Sequence, residues 1–94
     1  MRTVHKFPIP IEDDFTLEIP AGAKLLHVAT QHGQPCLWAC VDTEHEPIPY
    51  RFWLRGTGHE IAVTRHGAAY LGTFQLEGGA LVFHLFYVGA GETP

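Results

Sequence analysis

The segment from Arg51 to His59, Arg-Phe-Trp-Leu-Arg-Gly-Thr-Gly-His, combines aromatic, cationic and glycine-rich residues in one short stretch. Side chains alternate between the two faces of a strand, so Arg51 and Arg55 share one face. Forked guanidinium donors suit a phosphate or a carboxylate, and the ring of Trp53 suits a planar group. The pattern favours a site for an anionic or planar ligand, although an ordinary strand followed by a turn would have the same composition.

The loop that follows this strand adds three candidate binding residues. Gly56 and Gly58 flank Thr57, and His59 comes next. Glycine admits positive φ angles and lets a ligand approach main-chain N–H groups, so we expect Thr57, Gly58 and His59 to line the same site. The segment lacks the Lys-Ser or Lys-Thr ending of a P-loop. A glycine turn whose histidine faces solvent is the alternative.

Two residues from other segments complete the predicted site. Trp38 supplies a second planar face, and it lies within the apolar run from Pro35 to Asp42. His84 lies in the middle of the apolar run from Leu81 to Val88, where a neutral imidazole that faces a cavity would accept a hydrogen bond from a ligand. A buried histidine that bonds a backbone carbonyl is the alternative for His84.

Catalysis and metal binding have little support in the sequence. The chain contains no serine, which excludes Ser-His-Asp chemistry. Cys36 and Cys40 lie in an apolar run, which favours inert packing over an activated thiolate. The seven histidines lack the close pairs that are typical of zinc sites. The acidic run from Glu12 to Asp14 is typical of a solvated turn. We therefore expect a protein that is not an enzyme and has no metal and no cofactor.

The alternation of apolar and polar residues predicts an all-β fold. About seven short strands, with little or no helix, indicate an antiparallel sandwich or small barrel in a single domain over residues 1–94. A loop is predicted over Thr43–Pro49 and a frayed end over Gly89–Pro94. The predicted strands are Arg2–Ile9, Phe15–Ile19, Lys24–Gln31, Pro35–Asp42, Tyr50–Arg55, Tyr70–Leu76 and Leu81–Val88, with a further short strand over Ile61–Val63.

Charge and apolar content limit the partners. Six basic against ten acidic residues give a net charge of −4, which argues against a nucleic-acid polymer as partner but leaves room for a small anion. No apolar run reaches the roughly 18 residues of a membrane span. Cys36 and Cys40 on one strand would lie about 13 Å apart, too far for a disulfide, and reduced cysteines indicate the cytoplasm.

The last apolar run bears on assembly. Leu81–Val88 is apolar on both faces apart from His84, so we expect both of its sides to be covered. In a domain this small the second cover would come from another subunit, which predicts a homo-oligomer. A central strand within a single sandwich is the alternative.

Six stretches together resemble a family of small uncharacterised proteins found in bacteriophages and bacterial prophage regions. The resemblance covers about residues 4–86 and implies no activity for particular residues. It implies a setting in which small accessory proteins bind and neutralise a host component. The stretches are Lys6-Phe-Pro-Ile9, Pro20-Ala-Gly-Ala-Lys24, Gln34-Pro-Cys-Leu-Trp-Ala39, Gly56-Thr-Gly-His59, Tyr70-Leu-Gly-Thr-Phe74 and Leu81-Val-Phe-His-Leu-Phe86.

These observations predict a small binding protein for an anionic, nucleotide-like small molecule, in the sharpest form a host immune signal nucleotide. A protein–protein inhibitor or adaptor that docks through exposed aromatic residues is the alternative, and a structural phage component is a third. Arginines that line a cavity would favour the small ligand. An exposed apolar patch of several hundred Å² would favour a protein partner.

Overall fold

The computed structural model describes residues 1–61 and 67–91, which form two antiparallel sheets and confirm the all-β sandwich. The three-stranded sheet has the order β1-β4-β3, and the four-stranded sheet has the order β2-β5-β7-β6. A short 3₁₀ turn over Glu77–Gly79 joins the last two strands. The strands are β1 (Arg2–Pro8), β2 (Asp14–Pro20), β3 (Lys24–Gln31), β4 (Gln34–Asp42), β5 (Pro47–Gly56), β6 (Ala69–Leu76) and β7 (Leu81–Ala90).

A single apolar core lies between the two sheets, and it forms because alternate residues of each strand point inward. In β2, Phe15 and Ile19 are buried, as their alternation predicts. Phe15 lies opposite Phe52 of β5, and their rings stack with centroids 5.4 Å apart. Burial of each such side chain contributes roughly 1.5–3 kcal/mol. The other buried core residues are Ile9, Val28, Leu37, Ala39, Val41, Tyr50, Leu54, Phe74 and Leu85.

The two layers make a flat molecule with two broad outer faces. Its Cα extents are 40 × 35 × 16 Å, and the short dimension corresponds to two sheets packed about 10 Å apart. Each sheet uses one face for the core and turns the other outward. Most outward-facing side chains of both sheets are at least partly exposed, so these two faces are available to ligands and partners.

Three of the differences between the predicted and the observed strand ends are informative. β5 begins at Pro47, inside the predicted loop. Proline, which has no N–H to donate, is tolerated here because pairing with β7 starts only at Tyr50. On that side the Pro49 carbonyl accepts from the Gly91 N–H. β7 continues to Ala90, so the predicted frayed end is wrong for Gly89 and Ala90. The hairpin between β3 and β4 turns over His32 and Gly33 alone, with φ angles of 51° and 79° that fit a type I′ turn.

The structure bears on the predicted strand over Ile61–Val63 and on the two cysteines. The predicted strand over Ile61–Val63 lies largely outside the described residues, and Ile61 is not in a strand. Cys36 and Cys40 lie on β4 as free cysteines, as expected. No helix in residues 1–61 and 67–91 is long and apolar enough to cross a membrane.

β7 is an interior strand between β5 and β6. Leu85 on its inner face is fully buried, and Phe86 on its outer face is half-buried. A central strand of one sandwich therefore accounts for much of its apolar character. The homo-oligomer stays a prediction.

Gly72 marks the place where the edge strands β6 and β3 meet. A Cβ at this position would lie 2.9 Å from the Cβ of Val28, which is 5% exposed. We expect Gly72→Ala to lower the free energy of unfolding by about 1–3 kcal/mol, measured by urea denaturation. Gly67→Ala is the control, because no atom of residues 1–61 and 67–91 lies within 4 Å of a Cβ there. Equal effects at the two positions would contradict this account of the corner.

Candidate functional site

Three aromatic side chains form a row across the outer face of the four-stranded sheet. Trp53 of β5 lies opposite Phe86 of β7, and Phe86 lies opposite Tyr70 of β6. The Tyr70 and Phe86 rings meet edge to face, with centroids 5.8 Å apart. Tyr70 is 59% exposed, and the other two are half-buried. This aromatic row presents ring surface to solvent without an enclosing wall.

A polar row lies directly beside the aromatic row. Arg55, His84 and Thr73 are opposite one another on the same three strands. Nε2 of His84 lies 2.7 Å from Oγ1 of Thr57, and Nδ1 lies 2.8 Å from Oγ1 of Thr73. Thr73 Oγ1 is in turn 2.5 Å from the Tyr70 hydroxyl. A continuous hydrogen-bonded chain therefore runs from the loop after β5 to the aromatic row.

The partners of His84 differ from the backbone carbonyl that was the alternative for it. A neutral imidazole donates from one nitrogen and accepts at the other, so one of the two threonine hydroxyls must donate to the ring and the other must accept. His84 thereby fixes the orientation of both hydroxyls. The exposed end of the chain is the Tyr70 hydroxyl, which can donate to or accept from a ligand.

A β-bulge in β6 brings Tyr70 and Thr73 to one face. Residues three apart in a regular strand point to opposite faces. Tyr70 pairs with Phe86 and Gly72 with Leu85, so Leu71 is an extra residue on β6. The extra residue restores Thr73 to the outer face. Without this bulge, Thr73 would face the core and the chain to His84 would not form.

The two arginines of the predicted site are in different states. Arg51 donates from Nε and Nη2 to the carboxylate of Asp14, at 3.1 and 2.7 Å. This hydrogen bonding holds the pKa of Asp14 below its usual range and raises the pKa of Arg51. The Arg51 charge is thus already paired, and its donors face a carboxylate of the same chain.

Arg55 keeps its charge available. Its Nη1 donates to the carbonyl oxygens of Asp13 and Leu54, at 2.6 and 3.0 Å. The guanidinium lies over the Trp53 ring, 5.2 Å from its centroid. In the described part of the chain no carboxylate lies within 4.0 Å of it. Backbone carbonyls and a cation–π contact therefore hold Arg55 in place without neutralising it.

The loop after β5 positions His59 between two recesses. The His59 N–H donates to Gly56 O at 3.0 Å, and Gly58 has a φ angle of 87°. A Cβ at Gly56 would lie 2.8 Å from Nδ1 of His59, so glycine is needed for this close approach. His59 lines a recess of about 230 Å³ with Thr57 and residues 80–83. It also lines one of about 330 Å³ with Asp13, Arg55 and Glu60.

The structure brings together most of the predicted site residues, but not all of them. Arg51, Trp53, Arg55 and His84 share the outer face of the four-stranded sheet, and the loop from Thr57 to His59 lies at its border. Trp38 is separated from them, because β4 turns its side chain to the outer face of the other sheet. Thr73 and Phe86 were not among the predicted site residues, since their positions depend on strand register and, for Thr73, on the bulge.

The residues that the structure describes contain no cluster of three or more His, Cys, Asp or Glu side chains that could hold a metal ion. His66, one of the seven histidines, lies outside the described residues.

A family model described as a domain of unknown function, DUF7352, matches residues 1–93. No curated protein and no solved structure matches the chain. The match covers all the strands described above and assigns no activity.

The ion pair between Asp14 and Arg51 predicts a pH-dependent effect of Asp14→Asn. Because the folded-state pKa of Asp14 is lowered, the pair stabilises the fold above the unfolded-state pKa of about 3.9, and the contribution is lost as pH falls through the folded-state value. Both side chains are nearly half exposed, at 46% and 43%. We therefore expect the urea midpoint to fall by at most about 0.5 M at neutral pH.

The control for this change is Glu18→Gln on the same strand. The difference between the native protein and Asp14→Asn should shrink as acidification protonates the carboxyl group. A loss of equal size at acid and neutral pH would show that the substitution acts through something other than the ion pair.

Proposed function

This chain belongs to the DUF7352 family, and we propose that it is a non-enzymatic binding protein for a planar, anionic, nucleotide-like small molecule. The observation that carries the proposal is the aromatic row of Trp53, Phe86 and Tyr70 directly beside the polar row of Arg55, His84 and Thr73. A nucleotide has the same two parts, a flat base and a charged group, at a similar spacing.

The base lies on the aromatic row and the anion meets Arg55. Stacking of a base on an aromatic side chain contributes roughly 1–3 kcal/mol, and a hydrogen bond to a charged group contributes about 1.5–3 kcal/mol. The site is open, and binding costs the ligand its translational freedom, so the expected dissociation constant lies between about 1 μM and 1 mM. The Tyr70 hydroxyl and the loop at Thr57 supply further polar contacts.

The charges around Arg55 favour a ligand with one anionic group. Arg51 is paired with Asp14, so the two-arginine clamp that the sequence suggested is reduced to Arg55. Asp13 and Glu60 line the recess beside Arg55. Their carboxylates repel a ligand that carries several phosphates. A monophosphate or a cyclic phosphate fits this balance better than a triphosphate.

The setting is part of the proposal. The resemblance of six sequence stretches to phage and prophage proteins supports a role in sequestering a host signal nucleotide. The free cysteines Cys36 and Cys40 support a cytoplasmic location. The half-buried outer side of β7 supports a homo-oligomer in which a second subunit borders the aromatic row.

A protein partner remains the second candidate. Its support is a set of large apolar side chains that are at least two-fifths exposed, although these lie on both sheets and in a loop rather than on a single face. The dispersed arrangement favours the small ligand over a docked protein. The residues are Met1, Val4, Ile11, Leu26, Tyr70 and Leu81.

The ligand proposal is tested in the Trp38→Phe protein, where Trp53 is the remaining tryptophan. Titration with adenosine and guanosine 5′-monophosphates and 3′,5′-cyclic monophosphates should quench Trp53 fluorescence. Arg55→Ala should weaken binding about tenfold or more, because one charge-assisted hydrogen bond is lost. Lys6→Ala, on the opposite outer face, is the control. Unchanged affinity in a folded Arg55→Ala protein would overturn the site assignment.

Native mass spectrometry of untagged protein from the host cell tests the assembly and the carried ligand together. We expect masses at multiples of the 10.5 kDa chain, with an excess of a few hundred daltons per site when a nucleotide is added above its dissociation constant. A bare monomer would overturn the homo-oligomer and bring the protein partner to the front. A bare oligomer would support the assembly and count against a tightly held ligand.

A further inference from the structure

The outer face of the three-stranded sheet has a different character from the site above. Strands β1, β3 and β4 contain three of the chain's six basic residues, Arg2, Lys6 and Lys24, and one of its ten carboxylates, Asp42. All three cations belong to the outward-facing positions of the strand register. The whole-chain charge of −4 therefore conceals a locally basic sheet.

Trp38 lies at the centre of this basic face. On β4 it is opposite Lys6 of β1 on one side and His27 of β3 on the other. The rings of His27 and Trp38 are tilted, with centroids 6.2 Å apart. Strands in a sheet are about 4.8 Å apart, so Lys6 and His27 start roughly 10 Å from one another with the indole between them.

Two of the cations donate to neutral side chains on neighbouring strands of this face. Lys6 Nζ donates to Oε1 of Gln31 at 2.6 Å. Because Lys6 is on β1 and Gln31 is on β3, this hydrogen bond spans the central strand β4. Arg2 Nη2 donates to Sγ of Cys40 at 3.8 Å, so the guanidinium lies near Cys40, two residues along β4 from Asp42, the pairing partner of Arg2. Lys24 lies opposite Cys40 from the other side. The three cations therefore belong to the two strands that flank the half-buried Trp38, Arg2 and Lys6 on β1 and Lys24 on β3.

These cations are not paired with acids. Gln31 and Cys40 are neutral partners, and among residues 1–61 and 67–91 no carboxylate lies within 4.0 Å of Arg2, Lys6 or Lys24. Asp42, at the end of β4, accepts from the Glu44 N–H at 3.0 Å and has His45 Nε2 at 3.7 Å. The face therefore keeps about three positive charges for an external anion.

We propose that the outer face of the three-stranded sheet binds a short segment of single-stranded nucleic acid. A base stacks on Trp38, and the flanking phosphates meet Lys6 and Lys24, with Arg2 at the end of the track. Single-strand binders combine aromatic platforms with cations along the backbone path, and both occur here on one open sheet. An acidic peptide would use the charges but leave the central ring without a stacking partner.

The net charge of the chain sets the expected strength. Long-range repulsion by the other acids weakens the encounter, so binding is modest and strongly dependent on salt. With three phosphate contacts, the logarithm of the binding constant should fall against the logarithm of salt concentration with a slope of about −2. Removal of one lysine should lower the magnitude of this slope by about 0.7.

The test uses the Trp53→Phe protein, in which Trp38 alone reports, and an oligothymidylate of about ten nucleotides, within the range of known single-strand sites. We expect quenching of Trp38 fluorescence with the salt slope given above. Lys6→Gln and Lys24→Gln should each weaken binding and reduce the slope. Arg51→Gln, which removes a cation that Asp14 already pairs on the opposite face, is the matched control and should leave oligonucleotide binding unchanged.

Trp38→Leu separates stacking from general attraction. In the native background it should weaken oligonucleotide binding, followed by anisotropy of the labelled oligonucleotide, by about tenfold, whereas Trp38→Phe, which keeps an aromatic ring, should retain most of the affinity. Binding that depends on salt but survives Trp38→Leu would overturn the stacking site. Equal quenching of Trp38 by polyglutamate would overturn the nucleic-acid assignment in favour of an acidic protein segment.

Cys40 gives a readout that needs no substitution. Its side chain is half-buried on the same face, and Cys36 is 1% exposed. Bound oligonucleotide should slow alkylation of Cys40 in the unmodified protein, because it covers the neighbours Lys24 and Arg2. An unchanged alkylation rate at an oligonucleotide concentration that quenches Trp38 would place the bound strand elsewhere and overturn the proposal.

Discussion

The packing of the two sheets against one another is the constraint on which the rest of the structure depends. Phe52 is fully buried, stacks on Phe15 and lies 5.9 Å from the ring of Tyr87. Because Phe52 must point inward, the neighbouring residues Arg51 and Trp53 must point outward. The same reasoning applies to β4, where inward Leu37 and Ala39 turn Trp38 outward. The core therefore decides which side chains are available for binding on each face.

The state of each cation then decides what each face can bind. The carboxylate of Asp14 satisfies Arg51, so this arginine stabilises the β2–β5 edge more than it attracts a ligand. Arg55 is held by carbonyl oxygens and keeps its charge, beside Asp13 and Glu60. Lys6 and Lys24 have no acid beside them in the described chain. A single anionic group suits the four-stranded sheet, and a chain of phosphates suits the three-stranded sheet.

The sequence predicts the strands well, because burial of one face makes apolar and polar residues alternate along each strand. Phe15, Leu17 and Ile19 are an example that needs no tertiary information. The sequence also identifies Arg51, Trp53 and Arg55 as outward neighbours on one strand. It does not reveal that Asp14 forms an ion pair with Arg51, since that pair depends on which strand lies beside β5. The separation of Trp38 from Trp53 likewise depends on the assignment of β4 and β5 to different sheets.

Two β-bulges explain why both outer faces were hard to foresee. In β3 the extra residue is Leu26: Leu25 pairs with Ala39, and His27 pairs with Trp38. Strict alternation from Lys24 would turn His27 into the core, and the bulge returns it to the side of Trp38. The extra Leu71 does the same for Thr73 on β6.

Both of these bulges lie on strands at the edge of their sheets, where an unpaired residue disturbs one neighbour only, whereas a third, at Val88, lies on the interior strand β7. In both cases the result is a pair of polar or aromatic residues, three apart in sequence, on one solvent-facing surface. A strand that served the core alone would gain nothing from this arrangement, because regular alternation already buries its apolar residues. The bulges are therefore explained by the faces that they build, which is the reason to look for ligands on both sides of the molecule.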